Sequence, residues 1–381
     1  MKASGAPGRR DSSSIAETRP ERFYLPALDG LRWIGFLMVF LHHAPIVALD
    51  AVEKGGGFGL RMLLAVRHAG AFGVPLFFAL SGFLITSLLL IERERTGTVD
   101  VRAFYIRRIL RIWPAYYLAL ILFLWMRWAA GDGLPLDAGL RYALLLGNYV
   151  APYWGISVLW SISVEEQFYA LWPLAAKRLA QQGLCWIAIG LVFVGLAFRA
   201  ALIFVDGATW ETAWYSTPAQ VDCVGLGALL ALYRDRLPRL AATRLQIWGW
   251  LIACLCGLIA ASSLCPPLGV DPSWLSWTTR LFGTGFAALM VWILVTKPPE
   301  VHVLEGRLWV GLGKISYGMY LIHLLVMPLA VWVSDRLHLG LFGATGLSLA
   351  LTIALAAALY RFYEMPFLRL KAHFARVQSR P

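Results

Sequence analysis

Apolar positions along this 381-residue chain come in long, nearly unbroken runs rather than in the alternation of a half-buried strand. Residues 69–91, 142–164 and 337–360 contain no Asp, Glu, Lys or Arg. About 20 consecutive apolar residues cross a bilayer as an α-helix. Hydrocarbon tolerates only helices or closed barrels, because every spanning backbone group needs an internal partner. Barrel strands alternate over about 10 residues, which these runs do not. The pattern predicts an all-α polytopic membrane protein of about ten transmembrane helices, at 31–49, 69–91, 112–130, one within 140–176, 184–205, 217–233, 245–264, 276–296, 315–333 and 343–360. Pro75 predicts a kink in the second of these. Gly70, Gly73, Ser81 and Gly82 leave that helix thin enough for close packing.

Composition fits this reading: 59% of residues are apolar and 15% charged, against about 45–50% and 25% in soluble domains. An ordinary soluble enzyme, a disordered chain and a disulfide scaffold are excluded. The net charge of +12 is explained by placement, since 26 of the 34 Lys and Arg residues fall in six alternate segments, among them Lys2–Arg32, Arg93–Arg111 and Arg361–Arg380. The positive-inside rule then puts both termini in the cytoplasm, and no nucleic-acid surface is needed. Residues 1–22, polar and rich in Gly, Pro and Ser, read as a disordered cytoplasmic tail, residues 369–381 as a basic cytoplasmic tail, and 23–368 as the transmembrane domain. No short apolar region with a cleavage site precedes the first run, so a cleaved signal peptide is not expected. Cys185, Cys223, Cys254, Cys256 and Cys265 lack the spacing of a zinc site or a disulfide framework, which predicts packing roles and no metal.

Charged and titratable groups inside apolar runs are costly and point to function. Arg32 and His43 are 11 residues apart, about three helical turns, so they share a face about 16.5 Å apart along the axis. Imidazole suits proton transfer near neutral pH. In Phe104-Tyr-Ile-Arg-Arg-Ile-Leu-Arg-Ile-Trp-Pro114, Arg108 and Arg111 share a face and suit phosphate, as well as anchoring to anionic lipid. Trp160-Ser-Ile-Ser-Val-Glu-Glu-Gln-Phe-Tyr169 carries Ser163 and Glu166 at capping-box spacing. That reading starts a helix near 163, at the outer side, and leaves Glu165 free for another task. Asp222 is expected to pair with Arg199 or to cap, and His323 reads equally as a packed residue or a ligand. These residues alone leave two classes open: a membrane enzyme, or a transporter or permease for a polar or lipid-linked sugar.

Six segments in this order are similar to the membrane acyltransferase 3 family: Leu28–Arg32 with His43, Gly73–Phe83, Phe104–Pro114, Trp160–Tyr169, Ile315–His323 and Tyr363–Pro366. The resemblance implies a ten-span fold in the bacterial inner (plasma) membrane. It implies transfer of an acyl group, usually acetyl from acetyl-CoA, to a hydroxyl of a surface polysaccharide, lipopolysaccharide, peptidoglycan or other glycoconjugate. It further implies His43 and Glu165 as catalytic residues, and Arg32, Arg108 and Arg111 as the acyl-CoA side. The implied partners are acyl-CoA, a carbohydrate acceptor and membrane lipid. Pro75 and Gln220 depart from the family, many members having an acid and an Arg there.

Overall fold

The computed structural model describes residues 23–45, 57–150, 152–202, 204–205, 210–236, 244–263, 274–296 and 299–374. The tail expected at 1–22, the end of the tail expected at 369–381, and Cys265 lie outside the described residues. The described elements are helical throughout: α1 (Pro26–His43), α2 (Phe58–Gly70), α3 (Gly73–Thr96), α4 (Val101–Ala129), α5 (Leu136–Ala143), α6 (Leu159–Arg178), α7 (Gln181–Leu202), α8 (Trp210–Tyr215), α9 (Val221–Leu232), α10 (Arg244–Ser263), α11 (Trp274–Thr296), α12 (Arg307–Arg336), α13 (Gly340–Leu359) and α14 (Met365–Ala372). Short stretches of tighter or wider helix lie at Gly147–Tyr149, Thr217–Ala219, Pro299–Glu305 and Tyr360–Glu364. Among the described residues, five segments are long and apolar enough to cross a membrane: Phe58–Thr96, Val101–Ala129, Gln181–Leu202, Arg307–Arg336 and Gly340–Ala372. Val221–Leu232, Gly249–Ala260 and Arg280–Thr296 are shorter apolar helices.

A helix occupies each of the ten predicted stretches, with two departures. The run at 69–91 is not one kinked helix. The chain turns at Ala71–Phe72, between α2 and α3, and Pro75 falls in the first turn of α3. The N–H groups of a first turn have no intrahelical acceptor, so the proline sits there without breaking a bond. The capping box is also absent. Burial of Leu159, Trp160 and Ile162 draws the first turn of α6 into the core, so Ser163 lies inside the helix. Its hydroxyl donates to the Leu159 carbonyl and accepts from the Gly147 N–H, both at 3.2 Å. Glu166 accepts instead from the Trp113 indole at 3.0 Å. Glu165 is therefore one and a half turns inside a packed helix, not at an exposed start.

Helix α1 is central, packed on α2, α3, α12 and the Pro299–Glu305 turn, while α3 packs on α1, α6, α9 and α11. The seam between α3 and α9 is made backbone to backbone. A Cβ on Gly82 would collide with the Val224 carbonyl, and one on Gly227 with the Ala79 carbonyl, so these glycines set the interhelical distance. Beside that seam, Asp222 is fully buried and ties α7, α9 and α11 together. Its Oδ2 is 2.6 Å from Arg199 Nη2 and accepts from Thr284 Oγ1 at 3.2 Å, and its Oδ1 is 3.8 Å from Arg280 Nη2. Arg280 also donates to Gln220, which donates in turn to the Trp214 carbonyl.

Removing one member of a buried ion cluster strands the others without compensation. Asp222→Ala is expected to lower stability by about 3–5 kcal/mol, read as loss of thermal stability in detergent. An unchanged melting temperature would show that the two guanidinium groups do not depend on this carboxylate.

Candidate active site

Where α3 ends and α4 begins, the chain makes a hairpin that brings basic residues under the bundle. Gly97 ends α3 in the left-handed conformation (φ 75°), one an L side chain rarely adopts. Asp100 caps α4 by accepting the Ala103 N–H at 2.9 Å. Buried Glu92 braces the hairpin, accepting the Asp100 N–H at 2.8 Å and Arg107 Nη2 at 3.1 Å. Arg107 Nη1 donates onward to the Phe374 carbonyl at 2.8 Å, beyond α14.

Behind this hairpin is a cavity walled by α1, α3, α4, α6, α12 and α14. Its charged lining is Arg32, Arg107, Arg108, Arg111 and Lys371 against Asp29, Glu92 and Glu165, a formal excess of cations. Arg107 is held by Glu92, and Arg32 Nη1 donates to Asp29 Oδ1 at 2.7 Å, Asp29 also accepting from Tyr24 Oη at 3.0 Å. Arg108 is held by aromatic faces, its guanidinium carbon 5.3 Å from the Phe104 ring centre and 5.4 Å from that of Tyr169. Such stacking fixes a cation without neutralising it, and the buried Arg108 Nε has no hydrogen-bond partner. With more cations than carboxylates, the chemistry of this lining suits an anion.

The cavity's inner wall is a polar stripe on α6. Ser161, Glu165 and Tyr169 recur every four residues and so share a face, and all three line the cavity. Glu165 accepts from Ser81 Oγ at 2.7 Å and from Tyr169 Oη at 3.0 Å. The Ser161 and Tyr320 hydroxyls are 2.6 Å apart. Four of the five residues singled out in the sequence thus converge on one cavity: Arg32, Arg108, Arg111 and Glu165. Asp29, Ser81, Glu92, Tyr169, Tyr320 and Lys371 join them unanticipated. The four-residue spacing through Glu165 was a readable signal for Tyr169; the partners on other helices had none.

His43 is not on the cavity wall. It lies at the far end of α1, half-buried, with Nδ1 donating to the Val39 carbonyl at 2.9 Å. His323 from α12 is beside it, its Nε2 3.3 Å from His43 Nδ1 and its Nδ1 2.8 Å from the Tyr320 carbonyl. Tyr320 itself lines the cavity. On the other side, the Trp154 ring centre is 6.0 Å from that of His43. Neighbouring His42 ties α1 to α2, its Nδ1 donating to the Arg67 carbonyl at 3.0 Å and its own carbonyl accepting from Arg67 Nε at 2.8 Å. Among the described residues, no three or more His, Cys, Asp or Glu side chains gather to hold a metal. Cys185 and Cys223 are buried free thiols; Cys254 is partly exposed and Cys256 exposed.

Residues 25–361 match the family model described as an acyltransferase domain. The chain belongs to the membrane acyltransferase 3 family. Among curated proteins, this chain is similar to the O-acetyltransferase OatA of Staphylococcus aureus, in strains NCTC 8325 and COL alike. Each is 26% identical over 372 residues, a match covering 90% of this chain and 57% of the relative. The chain therefore spans a little over half the length of these relatives. No solved structure matches it.

Ser81→Ala and Tyr169→Phe each remove one hydrogen bond from a partly buried carboxyl group without changing its packing. Each is expected to cost about 0.5–1.5 kcal/mol, read by thermal unfolding. Because both act on Glu165, the double variant should depart from the sum of the two. Strict additivity would mean that the two hydroxyls do not share this carboxyl.

Proposed function

We propose that this chain is an integral membrane O-acetyltransferase, moving an acetyl group from acetyl-CoA to a hydroxyl of a sugar-containing cell-envelope acceptor. The observation that carries the reading is the cation-rich cavity in which Arg32, Arg108, Arg111 and Glu165 meet, with His43 one residue beyond its wall. The names of the OatA relatives support acetyl as the group and oxygen as the atom that receives it. In this reading, residues 23–368 form a ten-span domain of the bacterial inner membrane, residues 1–22 and 369–381 are cytoplasmic tails, and the basic end of the cavity faces the cytoplasm.

The phosphates of the donor lie against Arg108 and Arg111, helped by Arg107 and Arg32. The slender pantetheine arm follows α1, whose course from Arg32 to His43 covers about 16.5 Å, and delivers the thioester to the imidazole. His43 then works in one of two ways. As general base, it takes the proton of the acceptor hydroxyl while that oxygen attacks the thioester carbonyl carbon. The carbon–sulfur bond breaks, and the departing thiolate recovers the proton from the imidazolium. As nucleophile, it forms an acyl-imidazole and releases the thiol first, passing the acyl group to the hydroxyl afterwards. The first suits an acceptor that reaches the cavity, the second a glycan confined to the outer face. Glu165 orients the acceptor or accepts a proton.

Release of free thiol from acetyl-CoA by the protein in nanodiscs, with and without a crude envelope glycan, tests this reading. Wild type should release thiol in an acceptor-dependent way, and His43→Ala should lose at least about 10²-fold in rate. Arg108→Ala should weaken donor binding, raising KM for acetyl-CoA more than it lowers kcat. Full activity in His43→Ala would remove the mechanism. Movement of a sugar substrate across the membrane without consumption of acetyl-CoA would point to a permease instead.

A further inference from the structure

We infer that His323 is a positioning residue for His43, accepting the hydrogen bond of its Nδ1–H and so leaving Nε2 bare for the reaction. The inference rests on the acyl-transfer reading above and deepens it. It follows from which atoms can donate. A carbonyl oxygen only accepts. His323 Nδ1, 2.8 Å from the Tyr320 carbonyl, therefore carries a hydrogen, and in the neutral ring its Nε2 holds a lone pair. His43 Nδ1, 2.9 Å from the Val39 carbonyl, carries a hydrogen by the same argument. The His323 lone pair is 3.3 Å from that same Nδ1, so the one hydrogen is shared between two acceptors. In neutral His43 the remaining nitrogen, Nε2, is then the basic one.

His323 cannot easily turn away from this task. It is fully buried, edge-on to the Phe36 ring at 5.9 Å, with Phe40 at 6.4 Å and Tyr320 at 6.0 Å. Its position in α12 is held by the packing of α12 on α1. When His43 Nε2 takes the hydroxyl proton, positive charge spreads over the imidazolium, and both acceptors of the Nδ1–H bond strengthen. A neutral imidazole does here what a carboxylate does behind the histidine of a hydrolase triad: it fixes the tautomer and steadies the charge. His42 is adjacent, its ring centre 4.9 Å from that of His43, but its Nδ1 is committed to the Arg67 carbonyl on α2.

The test uses the full chain in nanodiscs, with acetyl-CoA as donor and crude envelope glycan as acceptor, and compares wild type, His43→Ala, His323→Leu and His323→Gln. His323→Leu removes the acceptor and keeps an apolar side chain. It should lower kcat by about 10- to 100-fold, the effect of losing a hydrogen bond to a charged group, with KM for acetyl-CoA unchanged. His323→Gln returns an amide oxygen near the former Nε2 and should recover most of that loss. A wild-type kcat in His323→Leu would overturn the inference, as would a glutamine variant no better than leucine while KM stays constant. In the wild-type protein, 15N-histidine spectra, with His43 assigned by its disappearance in His43→Gln, should show Nδ1 protonated and Nε2 bare. The opposite tautomer would overturn the assignment whether or not the His323 variants fold. Should His43→Ala be inactive and His323→Leu fully active, only this inference falls. A fully active His43→Ala would take the acyl-transfer reading with it.

Discussion

A charge carried into an apolar helical bundle has to be met by another group, and that requirement governs where the helices of this protein touch. Water is absent to screen it, and an ion left alone there is prohibitively costly. Each buried ion therefore recruits a partner from a different helix, or from its own helix one turn away. Asp222 draws in Arg199 and Arg280 and so fastens α7, α9 and α11. Glu92 draws in Arg107 and closes the hairpin between α3 and α4. Asp29 holds Arg32 along α1. These pairs stand around the cavity, whose wall carries Arg32, Arg107, Asp29 and Glu92 together.

Within that frame α1 acts as the spine of the site. One end presents Arg32 to the cavity, and the other presents His43 beyond it. A single continuous helix fixes the separation of the two, while its neighbours supply what each end lacks. Helix α12 contributes at both levels, with the Tyr320 side chain on the cavity wall and His323 one turn further along. The polar contacts from Ser161 on α6 through Tyr320 and His323 on α12 to His43 on α1 thus join three helices, with α12 packed on α1.

Much of this was legible in the sequence, because in a membrane protein both apolar length and stray polarity carry strong signals. Arg32, Arg108, Arg111 and Glu165 stood out as charged residues within or beside apolar runs, and the structure gathers them on one cavity. What stayed hidden depended on distant partners. Ser163 and Glu166 have the spacing of a cap, but Gly147 and Trp113 claim them, and nothing near residue 163 announces either. Pro75 predicted a bend within a helix, whereas the turn at Ala71–Phe72 puts it where a helix starts. His323 was ambiguous for the same reason. Its meaning lies in a residue 280 positions away.

The glycine seam between α3 and α9 has a consequence for how this protein can vary. At Gly82 and Gly227 the space a side chain would fill is taken by a carbonyl of the opposite helix. Glycine is the smallest residue, so every substitution there enlarges the seam, and no compensating change on the partner can make room, since what stands in the way is backbone. An exposed apolar position such as Trp125 or Phe193 has no such limit. Drift in this chain should be rapid on its outer faces and nearly frozen along a narrow line through its interior, next to Ser81 and the carboxyl group it holds.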